Sequence, residues 1–225
     1  MRRVLSVYGS SVGKKAAMAI TGYLFVGFVV VHMLGNLKVF QGPEKFNAYA
    51  EFLREAGYPI FGHGQLLWIL RIVLLVSVTI HIAAAIQLSR MSHAARPVGY
   101  RKTESIEFSY ASRTMRWGGV IITAFVIYHL MHFTWGTAHR DFIPGDAYHN
   151  FVTGFQTWPV ALAYAAAMIF LGLHVYHGVW SGFQTLGANH PRYNRHRRPL
   201  AAALAILIVA GFLSGPAAVL AGIVR

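Results

Sequence analysis

The sequence contains no cysteine. That excludes an intrinsic iron–sulfur cluster, a disulfide framework and the C-x-x-C-H attachment of c-type haem. Acidic residues are scarce: seven Asp and Glu stand against 20 Lys and Arg, and charged residues make up 12% of the 225 positions. Soluble domains carry roughly 25%. No G-x-G-x-x-G or Walker-type glycine loop occurs, so the chain shows no nucleotide or flavin site of its own. Any redox cofactor must be held by other ligands.

Apolar residues dominate at 56%. Nucleic-acid binders with a basic excess are not normally so apolar, and nucleic acid is therefore not an expected partner. In a membrane protein the same excess arises from Lys and Arg flanking spans on the cytoplasmic side, where they also meet anionic lipid. Five apolar stretches can cross about 30 Å of hydrocarbon at about 1.5 Å per residue. They lie near residues 17–40, 66–89, 114–135, 159–183 and 200–219. The expected fold class is an all-α membrane protein, with residues 1–225 forming a single membrane domain. The first run is too long for a signal-peptide core and reads as a retained span.

Basic residues set the expected orientation. Arg2, Arg3, Lys14 and Lys15 precede the first span. Arg90, Arg96, Arg101, Lys102, Arg113 and Arg116 fill the second connection, and Arg192, Arg195, Arg197 and Arg198 the fourth. The first and third connections mix signs. The positive-inside rule then places the amino terminus in the cytoplasm and the carboxyl terminus outside. In the first connection Phe46, Tyr49, Phe52 and Leu53 recur at helical spacing. They predict a short helix over Glu44–Gly57, lying on the membrane surface or packed over the bundle.

Histidine is the unusual residue inside the spans. His32, His81, His129, His132, His174 and His177 fall within them, and no Asp or Glu does. Ionisable residues in a span are costly and face the bundle interior. A proton or cation transporter would be expected to carry mid-membrane carboxylates. A haem needs neutral imidazoles, which bind iron through a ring nitrogen lone pair. Depths match in pairs: His32 and His129 lie roughly 22 Å above the inner ends of their spans, His81 and His174 only about 10–14 Å. A weak internal repeat accompanies this, with 97 residues from His32 to His129 and 93 from His81 to His174. Two bis-histidine haems, an outer one on His32 and His129 and an inner one on His81 and His174, would need this arrangement. His132 and His177 share helix faces with His129 and His174. Only one of each couple is expected to ligate, the other to bond a haem propionate or a backbone carbonyl. Gly22, Gly27, Gly118, Gly119, Gly172 and the Gly178–Gly182 pair offer close-packing positions.

The runs TGYLFVGFVVVHMLGNLKVF, SRTMRWGGVIITAFVIYHLMHFT and HVYHGVWSGFQTLG resemble the single-chain, five-helix cytochrome b subunit of succinate dehydrogenases and fumarate reductases. The likeness extends from about Ser11 to the last span. Carried over, the resemblance implies that the first four spans form the haem-binding bundle, with axial ligands His32, His81, His129 and His174 and two haems b. It implies a bacterial cytoplasmic membrane, and flavoprotein and iron–sulfur subunits docked on the cytoplasmic side, where succinate is oxidised at the partner's flavin. The electron partner in the membrane would be a quinone, menaquinone in expectation. Glutamates that some fumarate reductases of the family place in their spans are missing here, which favours succinate oxidation. Ser10, Ser11, Lys14, His63, Trp135 and His139 are the polar and aromatic residues near either face that a quinone could meet; none is assigned. Two alternatives remain from the residues themselves: the cytochrome b of another respiratory dehydrogenase, or a haem-free transporter or scaffold.

Overall fold

The computed structural model describes residues 8–95 and 110–225, with side chains placed from 114 onward in the second stretch. Arg2, Arg3, Arg96, Arg101 and Lys102 lie outside the described residues, as does the side chain of Arg113. Among the described residues the secondary structure is helical, without strands. The order is α1 (Ser11–Asn36), a 3₁₀ turn (Leu37–Gln41), α2 (Pro43–Glu55), α3 (Gln65–Ala94), α4 (Tyr110–Phe133), α5 (Ala147–Phe155), α6 (Trp158–Thr185) and α7 (Pro191–Leu220). Five segments are long and apolar enough to cross a membrane: Ser11–Gln41, Gln65–Ala94, Thr114–Phe133, Trp158–Thr185 and Pro191–Leu220. The protein is thus an all-α, multi-pass membrane protein. Hydrocarbon offers backbone groups no water, so each segment must close its own hydrogen bonds as a helix.

Caps and breakers explain the boundaries. The Ser10 hydroxyl accepts from Gly13 N at 3.0 Å and starts α1, while Lys14 folds back to donate to the Tyr8 and Gly9 carbonyls at 2.8 and 2.9 Å. Proline opens α2, α6 and α7, where its missing N–H costs nothing. The last helix begins at Pro191, well before the apolar run expected from Leu200. Its first two turns carry Arg192, Arg195, Arg197 and Arg198, so they are helical yet too polar for hydropathy to mark. Pro199 and Pro216 lie inside α7, which neighbouring helices make tolerable.

Helices α6 and α7 form the most extensive pairing; α1 packs on α3, α6 and α7, and α4 packs on α6. Neither α3 with α4 nor α1 with α4 forms a comparable interface among the described residues. The two flanking spans consequently present large apolar side chains outward: Trp68, Leu70, Ile72 and Leu75 on α3, Trp117, Val120 and Ile127 on α4. Between α6 and α7, Val175, Val179, Ala201, Ala205 and Ile208 are buried together. A second buried cluster joins Phe46, Phe151, Phe155 and Tyr164 with Ala218 and Val219. It seals the end of the bundle that carries α2 and α5, called here the capped end. The opposite end, with the start of α1 and the arginine-rich connections, is the basic end.

Of the two readings of the first connection, the packed one describes Phe46 and Tyr49. Phe46 is buried against Tyr148 and Phe151, and Tyr49 lies over Gly35. Phe52 points outward. The short helix α5 was not predicted; nine residues give too little periodicity to register. Asp146 caps it, accepting from His149 N at 2.9 Å and from Asn47 Nδ2 of α2 at 2.9 Å. Asn47 Oδ1 in turn accepts from Tyr148 N at 2.9 Å.

The bonds from the His149 amide and from Asn47 hold the Asp146 carboxyl below its ordinary pKa. A depressed folded pKa means the carboxylate's contribution is complete above the unfolded value of about 4. It is lost as pH falls through the lower folded value. Asp146→Ala should therefore lower stability at neutral pH by about 1 kcal/mol, the usual cost of losing such a cap. Thermal unfolding across a pH series should show the gap between variant and wild type closing in acid. A gap of constant size would contradict the assignment.

Candidate functional site

Four spans contribute one histidine each, and the four rings meet across the bundle. His32 and His129 lie four residues before the last residues of α1 and α4, about 6 Å from the capped end. His81 and His174 lie sixteen residues beyond the first residues of α3 and α6, about 24 Å from that end. Their rings meet in two couples. His32 faces His129 with ring centres 5.8 Å apart and planes at 84°, and His81 faces His174 at 6.1 Å and 53°. The first couple spans α1 and α4, the second α3 and α6, helix pairs without an extended backbone interface.

This geometry can be compared with what a bis-imidazole metal site requires. Imidazole nitrogens bind first-row metals at about 2.0–2.1 Å, so two rings on opposite sides of one iron have centres roughly 6 Å apart. Both couples have that separation. The donor chemistry also fits: two neutral nitrogen ligands per site and no carboxylate nearby. Among the described residues no group of three or more His, Cys, Asp or Glu converges, so the histidines pair without building a larger metal cluster. Around the inner couple, Nδ1 of His174, Nδ1 of His177 and Nε1 of Trp180 are buried without a hydrogen-bond partner. Buried polar atoms are normally satisfied, so these three nitrogens on two turns of α6 mark a polar strip beside the inner couple; the fit itself rests on the ring separations and the donor set. The residues present therefore fit a bis-histidine haem at each couple.

Neighbouring rings separate the facing histidines from their companions. His32 stacks on Phe28 with centres 5.3 Å apart and touches Phe212 of α7. His132 is buried, stacked between Tyr128 at 5.6 Å and His139 at 4.8 Å. A Cβ at Gly154 would come within 2.9 Å of the His132 ring and 3.1 Å of His139, so glycine is what lets α5 close over the two imidazoles. His177 sits edge-on to Trp180, whose other neighbour is the Arg198 guanidinium, 5.2 Å from the ring centre.

The polar residues near the two faces have local partners. His63 pairs with Glu55. His139 Nε2 lies 2.9 Å from the Asn150 carbonyl, and its Nδ1 accepts from Asp141 N at 3.1 Å. Trp135 is largely exposed. Three functional candidates escaped the sequence reading. Arg71 stands inside α3 near its capped end, its guanidinium over Trp68 at 5.0 Å, as a cation that snorkels toward the interface would. Thr21 lies 3.1 Å from His81 Nδ1. Tyr164 reaches Nδ1 of both His129 and His132, at 3.2 and 3.0 Å. Thr21 carried a faint signal, a hydroxyl three helical turns before His32 on one face of an otherwise apolar run. Nothing local distinguishes Tyr164 from the other span tyrosines.

No family model, curated protein or solved structure matches the chain.

Proposed function

We propose that this protein is the di-haem cytochrome b anchor of a bacterial succinate:quinone oxidoreductase, carrying electrons between an iron–sulfur partner and membrane quinone. The observation that carries the haem reading is the meeting of four span histidines as two facing couples at different depths in the bundle. Haem b held by them would supply one-electron transfer. The chain's own work is to hold His32, His81, His129 and His174, to bury them among aromatic and aliphatic side chains, and to keep water from the couples. Through ligation and burial it sets the potential of what it binds.

The choice of succinate as the partner's substrate rests on the sequence resemblance and on the lack of acidic residues in every span. Orientation, with the basic end in the cytoplasm, rests on the arginines of α3, α4 and α7. That end offers Arg116, bonded to His93 at 2.9 Å, and the exposed Arg192 and Arg195 as a docking face for the iron–sulfur subunit. Purification from native membranes through a tag on this chain should bring succinate-oxidising activity with it, and crosslinkers placed at Arg116 and Arg195 should capture an iron–sulfur protein. Co-purification of a hydrogenase, formate dehydrogenase or nitrate reductase activity instead would reassign the complex while leaving the haem sites standing.

A further inference from the structure

The two histidine couples share an asymmetry. In each, one imidazole is tied through Nδ1 to a hydroxyl on a different helix. Thr21 of α1 lies 3.1 Å from Nδ1 of His81 on α3, and Tyr164 of α6 lies 3.2 Å from Nδ1 of His129 on α4. Their opposite numbers are held differently: Nδ1 of His174 is buried without a partner, and His32 rests on ring contacts with Phe28 and Phe212.

Proton counting gives the hydroxyls a direction. The Thr21 hydroxyl donates its single proton to the helix, at 2.8 Å from the Ala17 carbonyl and 3.1 Å from that of Met18. Toward His81 its oxygen can only accept. His81 therefore carries its proton on Nδ1 and keeps a bare lone pair on Nε2. Tyr164 also has one proton and stands between two imidazoles. His132 Nδ1 lies 3.0 Å away and His129 Nδ1 3.2 Å, so the phenol can donate to one and accept from the other. Ligation through His129 Nε2 would leave the proton on Nδ1 and so select the arrangement in which the phenol accepts from His129. His129 is then in the same tautomer as His81.

We propose that Thr21 and Tyr164 are positioning residues, each fixing the tautomer and ring orientation of one axial ligand, His81 and His129 respectively. The proposal rests on the haem reading above. A hydrogen-bond acceptor on the far nitrogen orients a ligating histidine and raises its basicity, which favours the oxidised metal. Removing the hydroxyl should raise the midpoint potential of the haem concerned and change its low-spin EPR signal.

The test is a potentiometric titration, followed by visible and EPR spectra, of the purified complex as wild type, Thr21→Val, Thr21→Ser and Tyr164→Phe. The two haems are first told apart by which one His81→Ala and His129→Ala remove. The inference expects Thr21→Val to move only the haem lost with His81, Tyr164→Phe to move only the haem lost with His129, and Thr21→Ser to restore wild-type values. Two haems with unchanged potentials and spectra in both hydroxyl-deleting variants would overturn the inference alone. So would each variant shifting the other couple's haem, or Thr21→Ser behaving like Thr21→Val. A wild-type complex without haem would overturn the haem reading, and the inference with it.

Discussion

Replacing His81 or His174 with alanine should remove one of two b-type haems and leave the other in place. The two couples are separated by twelve helical residues, about 18 Å along the bundle, and they share no helix: α1 and α4 carry one, α3 and α6 the other. Losing an imidazole at one couple therefore leaves the opposite couple's ligands and their neighbours untouched. His32→Ala and His129→Ala should do the same at the capped end. Haem per chain, measured as pyridine haemochrome, should fall by half in each of the four variants. His132→Ala and His177→Ala should keep both haems, because those rings turn toward His139 and Trp180 and not toward a facing histidine. Full haem content in His81→Ala, or loss of haem in His177→Ala with retention in His174→Ala, would break the ligand assignment.

Gly182→Val should destabilise the bundle itself. A Cβ at this position would stand 2.9 Å from both Cε2 and the hydroxyl oxygen of Tyr23, inside van der Waals contact. Tyr23 cannot swing away freely, because its hydroxyl donates to the Val179 carbonyl at 2.9 Å and its ring packs on Phe183. Hydrocarbon provides no hydrophobic drive between helices, so close packing of this kind is what joins α1 to α6. Overpacking typically costs about 1–3 kcal/mol, and the branched side chain at a locked contact belongs at the upper end. Thermal aggregation in detergent should occur at lower temperature than in wild type. Gly178→Val, four residues earlier and with no protein atom within 4 Å of its Cβ, should leave the α1–α6 contact intact. Equal behaviour of the two variants would show that the α1–α6 contact is not the bond described.

These cases mark what the sequence could and could not reveal. Span number and order follow from length and hydropathy, because a bilayer leaves helices as the only solution for such runs. The histidine couples were legible for a geometric reason: a rise of about 1.5 Å per residue converts sequence position into depth, and depth alone sorts four histidines into two levels. The G-x-x-x-G pattern was half informative. Both glycines sit on α6, but only Gly182 meets another helix, and which side of a helix finds a neighbour is a tertiary fact. Thr21 and Tyr164 were missed for the same reason, since each acts on a histidine borne by another helix. The early start of α7 and the presence of α5 were hidden by composition. One is helix too basic for a hydropathy window, the other too short for periodicity to show.

A reduced-minus-oxidised visible spectrum of the purified protein, with its haem counted per chain, separates a di-haem cytochrome from a haem-free bundle. Close to two b-type haems per chain are expected, reducible by succinate when the partner subunits are present. A chain that purifies folded, with all five spans inserted and no haem, would contradict the haem reading and return the four histidines to a transporter or scaffold.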